Sequence, residues 1–78
     1  MTLWFENSLG DMRQVAHCDN WAEAYAEIQN FIDRANAAKS PGEPKFKMYY
    51  MRTWKDTATG MNKIDVGSWN EFFYVSEA

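Results

Sequence analysis

The chain has 78 residues, which fits one domain, 1–78, with a thin stability margin, because so short a chain buries only roughly 60% of its unfolded surface. Its formal charge of −3 and pI near 4.9 exclude the basic excess that non-specific binding to duplex DNA needs. Cys18 is the one cysteine, so an internal disulfide is excluded, and with His17 the one histidine a compact metal cluster is not expected.

Small domains recover stability from disulfides, metals or self-association, and here self-association is left, so a homo-oligomer is expected. Charge is uneven along the chain. Positions 1–44 hold seven acidic and three basic residues, and positions 45–78 hold four acidic and five basic. The opening Met1-Thr2-Leu3-Trp4 has no charged segment leading into an apolar one, so no signal peptide is expected. No apolar run approaches the roughly 20 residues of a membrane helix. With a lone thiol suited to a reducing compartment, the chain reads as a cytoplasmic protein.

Leu3-Trp4-Phe5-Glu6 is a short apolar strand, and Asn7-Ser8-Leu9-Gly10 supplies turn-forming residues. Residues 11–18 return as its hairpin partner. Neither parity of that segment is cleanly apolar, so its register is weakly specified. The helix is the clearest element. Trp21, Ala24, Tyr25, Ile28, Phe31, Ile32 and Ala35 form one stripe of period near 3.6, and Glu23, Glu27, Asn30, Arg34 and Asn36 take the other side. The helix is predicted over 20–37, capped by Asn20 or Asp19, with Glu23 placed to reach back to the cap amide if Asn20 is the cap.

Lys39-Ser40-Pro41-Gly42-Glu43-Pro44 stops the helix and is too short to divide domains. Residues 45–54 are predicted as a long strand. Its alternation puts Phe46, Met48, Tyr50, Arg52 and Trp54 on one face and Lys47, Tyr49, Met51 and Thr53 on the other. The face carrying Trp54 is assigned to the helix, and Tyr49 and Met51 to the open side. A polar loop over 55–60 leads into an antiparallel return over 63–66. A bend or bulge at 67–70 precedes a last strand over 71–75. The predicted architecture is α+β, ββαββ(β): an antiparallel sheet with one helix packed on one face.

His17-Cys18-Asp19 is the one cluster with nucleophile chemistry. Adjacent strand residues point to opposite faces, so Cys18 is read as a small packing residue rather than a partner of His17. The four glycines are isolated and form no phosphate loop. Glu6, Asp65 and Glu71 lie in or near strands, but nothing in the sequence sets their separation. No catalytic residue, metal or cofactor is assigned, and the protein is read as a non-enzyme.

Thirteen aromatic residues are too many for so small a chain to enclose. Any single ring is better read as core, but the set as a whole implies exposed rings. In the second half these rings interleave with Lys47, Arg52 and Lys63. Rings stack on nucleobases, Arg adds cation–π contact or a fork for phosphate, and the same groups make interface hot spots. The candidate ligand-binding set is Lys47, Tyr49, Arg52, Trp54, Trp69, Phe73 and Tyr74.

The segments Leu3-Trp4-Phe5-Glu6-Asn7-Ser8-Leu9-Gly10, Phe31-Ile32-Asp33, Met48-Tyr49-Tyr50-Met51-Arg52-Thr53-Trp54, Ile64-Asp65-Val66-Gly67-Ser68 and Glu71-Phe72-Phe73 resemble small uncharacterised accessory proteins of tailed phages and prophages of Firmicutes. That resemblance implies a phage protein that counters bacterial immunity and carries over no site residues. The expected function is sequestration of a nucleotide-derived signal molecule. Its rivals are inhibition of a host defence nuclease or effector by protein–protein contact, and a structural or regulatory role among phage proteins.

Overall fold

The computed structural model describes residues 1–77. One helix packs on a five-stranded antiparallel sheet. The elements in chain order are β1 (Thr2–Glu6), β2 (Met12–His17), α1 (Trp21–Ala37), β3 (Arg52–Lys55), β4 (Asn62–Asp65) and β5 (Phe72–Ser76). The spatial order is β2-β1-β5-β4-β3, so the first and last strands of the chain lie side by side in the middle. This is the α+β, ββαββ(β) architecture expected from the sequence.

The core lies between α1 and one sheet face. Leu3 and Phe5 of β1, Phe73 and Val75 of β5, and Ile64 of β4 project into it, joined by Val66 just beyond β4. The helix contributes Ala24, Ile28 and Ile32, the centre of the predicted stripe. Phe31 and Phe46 close the core against Phe5 and Phe73, with Phe31 meeting Phe73 edge-on at 5.4 Å between centroids. Tyr25, at the flank of the stripe, is exposed and leans on Trp21 instead.

Local rules explain the helix ends. Asn20 is the N-cap: its backbone is extended and its Oδ1 accepts from the Glu23 amide at 2.9 Å. Arg34 places a positive charge in the last turn, where the helix dipole favours one. The weak parity of residues 11–18 also has a cause. Ala16 pairs with Leu3 but Gln14 pairs with Trp4, so Val15 is an extra residue and the register shifts there. A bulge of this kind switches which parity faces the core.

The predicted strand over 45–54 is the main correction. Only Arg52–Lys55 joins the ladder; residues 45–51 run without regular structure. Two contacts explain their path. Asn36 clamps Phe46 from both sides: its Nδ2 donates to the Phe46 carbonyl at 2.8 Å, and its Oδ1 accepts from the Phe46 amide at 2.7 Å. The Tyr49 amide then donates to the Val66 carbonyl at 3.0 Å. Phe46, Met48 and Met51 pack against the core across this irregular stretch, so alternation fails between Met48 and Met51. Trp54 and its face-mates Tyr50 and Arg52 therefore point away from the helix, opposite to the expectation. Met51, expected outside, packs inward.

Candidate functional site

The seven residues singled out in the sequence go to three different places. Phe73 is fully buried in the core beneath α1 and presents no ring face to a ligand; β5 is the central strand, so its inward residues are covered by the helix. Lys47 and Tyr49 line a groove at one end of the sheet, and Trp69 sits on the bend that forms its other wall without lining it. Arg52, Trp54 and Tyr74 belong to the face that α1 leaves uncovered.

The end site is a groove of about 400 Å³ between the 44–49 stretch and the bend at 67–71. Lys45, Lys47 and Tyr49 line one wall, and Gly67, Ser68 and Glu71 the other. Gly67 sits at φ +103°, and a Cβ there would come within 2.9 Å of Tyr49 Cδ2. Glycine thus serves twice: it turns the chain after β4 and lets the Tyr49 ring lie against the backbone. Asp65 holds this bend, since its Oδ1 accepts from the Gly67 amide at 2.9 Å. Tyr49 remains 70% exposed and Trp69, on the same bend, 91% exposed, so both rings are open to a stacking partner. The Ser68 hydroxyl lies 3.4 Å from Glu71 Oε1.

The uncovered face is a row of cross-strand neighbours. Trp4 pairs with Tyr74, Tyr74 with Lys63, and Lys63 with Trp54. Lys63 Nζ lies 4.0 Å from the Phe72 ring centroid and 5.5 Å from that of Tyr74. Tyr74 is buried despite lying on this face, because these neighbours cover its ring. Its Oη donates to Glu6 Oε1 at 3.0 Å, and burial, together with the Glu6 carboxylate, raises its phenol pKa far above normal. The Trp4 Nε1 is buried on this face with no acceptor among the described residues.

Asp65 organises the β3 side of the same face. Arg52 Nη2 donates to its Oδ2 at 3.0 Å, and the Tyr50 hydroxyl approaches the same oxygen at 3.5 Å. The Arg52 guanidinium also lies 4.8 Å from the Tyr50 ring centroid. Burial pushes the Asp65 carboxyl pKa up, but the Gly67 amide, Arg52 and Tyr50 outweigh it and hold the group below the usual carboxylate range. Trp54 and Tyr50 stay 43% and 46% exposed beside this cluster.

The three strand carboxylates do not converge. Glu6 takes Tyr74, Asp65 takes Arg52 with Gly67, and Glu71 lies by Ser68. His17 is exposed, with its ring nitrogens near Thr2 and Gln14 side chains at 3.3 and 3.1 Å. Cys18 packs in the core, where burial and the nearby Glu27 and Glu23 carboxylates raise its thiol pKa. Among the described residues no group of three His, Cys, Asp or Glu could hold a metal ion, and no helix is long and apolar enough to cross a membrane.

Sequence reasoning missed Lys45, Ser68 and Glu71 as walls of the groove, and Tyr50 and Asp65 as the clasp on Arg52. The bend at 67–70 was legible from Gly67-Ser68, but not that it would face residues 44–49. Comparison with protein-family models, curated proteins and solved structures found no match for this chain.

Proposed function

We propose that this protein is a non-enzymatic, phage-type binding protein that counters bacterial immune defence by sequestering a nucleotide-derived signal molecule. The observation that carries the reading is the groove beside Tyr49, where two lysines, an open ring, a hydroxyl and a carboxylate converge from two segments. Its volume of about 400 Å³ falls in the range of roughly 300–1,000 Å³ typical of small-molecule sites. Lys45 and Lys47 would meet phosphate as mobile point charges. Tyr49 or Trp69 would stack on the base, and Ser68 and Glu71 would bond ribose hydroxyls. The phage assignment rests on the resemblance of the sequence segments. The protein would work in the host cytoplasm as a homo-oligomer, whose second copy would wall in a groove that one chain leaves open.

A thermal-shift panel of cyclic nucleotides and ADP-ribose derivatives tests this. Binding to the folded state alone stabilises by about 2.7 kcal/mol at 100 times Kd, a readable rise in Tm. The expected result is a rise with one member of the panel that Tyr49→Ala and Lys47→Gln remove. A flat panel would end the reading.

A second reading, inhibition of a host defence nuclease or effector, is favoured by the uncovered sheet face, where Trp54 and Tyr50 stay exposed beside Arg52 and Met12 stays exposed at the opposite edge. Trp, Tyr and Arg dominate protein hot spots. A stoichiometric host protein captured by the wild type and lost with Trp54→Ser would support it over the sponge.

A further inference from the structure

We propose that the groove between β2 and the second half of α1 is a separate binding site for a phosphate-bearing small molecule, with Arg13 and Arg34 as its anion-binding pair. The proposal is independent of the groove at Tyr49.

The acidic first half of the chain, positions 1–44, contains three basic residues: Arg13, Arg34 and Lys39. The fold brings the two arginines, one from a strand and one from a helix, to the same groove of about 350 Å³. Phe31 also lines it, with the Arg13 guanidinium carbon 5.4 Å from its ring centroid. Among the described residues the one ion pair is Arg52–Asp65, so no described carboxylate forms an ion pair with either groove arginine. β2 is also an edge strand, and its Arg13–Val15 stretch lines the groove next to the bulge.

Two guanidinium groups lining one groove present the same charge to it, and an anion bound there is attracted by both. Arginine presents its N–H groups as a planar fork that matches phosphate oxygens in pairs, which lysine cannot do. The Phe31 ring gives the non-phosphate part of a ligand an apolar surface. Bulges recur beside binding sites because they re-aim the strand, and the one at Val15 shifts the register of β2 two residues from Arg13.

The probe is inorganic pyrophosphate, titrated at constant ionic strength and followed by calorimetry and by the arginine Nε–H signals in NMR. Saturable binding that perturbs the Arg13 and Arg34 signals is expected. Arg13→Gln and Arg34→Gln should each weaken it roughly tenfold, the scale of one charge-assisted bond pair. Arg13→Lys should recover part of the loss, because charge is kept and the fork is not. Lys55→Gln removes equal charge away from both grooves and should bind like wild type. No saturable binding, or binding that survives the double Arg13→Gln, Arg34→Gln change, would overturn the proposal. So would equal weakening by Lys55→Gln, which would mean a diffuse charge effect. Circular dichroism of each variant confirms that these exposed changes leave the fold intact. Tyr49→Ala, which tests the other groove, separates the failure of one site from that of the other.

Discussion

The two faces of the sheet are made by the same strands and held by different forces. On the helix side, Leu3, Phe5, Ile64, Phe73 and Val75 contact hydrocarbon, and their stabilisation scales with volume and fit. On the other side, rings lie beside charged and polar groups: Tyr74 on Glu6, Phe72 under Lys63, Tyr50 with Arg52 and Asp65. A methylene lost from the first face leaves a void. At the β3 end of the second, around Tyr50, Arg52 and Trp54, a lost group leaves polar atoms beside exposed side chains, although Tyr74 and the Trp4 Nε1 on the same face are buried. The first face is therefore committed to folding, while the exposed β3 end of the second can exchange partners without unfolding the chain.

Three substitutions separate these regimes. Phe73→Ala removes the ring that Phe5, Phe31 and Phe46 surround, and should cost about 3–5 kcal/mol in denaturant unfolding. A loss under about 1 kcal/mol would mean that the helix side is loosely packed, and the contrast would fail.

Asp65→Asn should cost less, about 1–2 kcal/mol at neutral pH, because Arg52 and the Gly67 amide lose a charged acceptor. Its pH dependence is the sharper test. The folded carboxyl titrates below its unfolded value of about 3.9, so its stabilisation is complete above that value. As pH falls through the lowered folded value, the stabilisation disappears, and wild type and Asp65→Asn should converge. Parallel curves down to strong acid would show that the carboxylate contributes no charge-dependent stability.

Trp54→Ser is the smallest perturbation. The ring is on an edge strand, 43% exposed and outside the core, so unfolding should change by less than about 0.5 kcal/mol. A larger loss in dilute protein that vanishes at high concentration would reveal that Trp54 is buried between copies.

The helix and both hairpins were legible because their signals are local. The stripe from Trp21 to Ala35, the cap at Asn20 and the glycines at Gly10 and Gly60 act within a few residues of one another. Residues 45–51 misled for the opposite reason. Their alternating pattern reads as a strand, yet Asn36, on the polar side of the helix, bonds Phe46 and draws the segment over the core. The candidate site split in the same way. Aromatic and basic composition in the second half was visible, but burial was not, so Phe73 and Tyr74 were grouped with rings that solvent reaches.

By itself the amino-acid order determined the element types, the α+β class and the excess of rings over what one small core can hide. These follow from periodicity and composition, which need no knowledge of distant neighbours. Only the tertiary structure decided that β1 and β5 meet at the sheet centre, that Trp54 faces away from α1, and that Arg13 and Arg34 share a groove. Each depends on contacts between residues far apart in the chain, and a one-residue bulge or one bidentate asparagine is enough to reverse the face that alternation assigns.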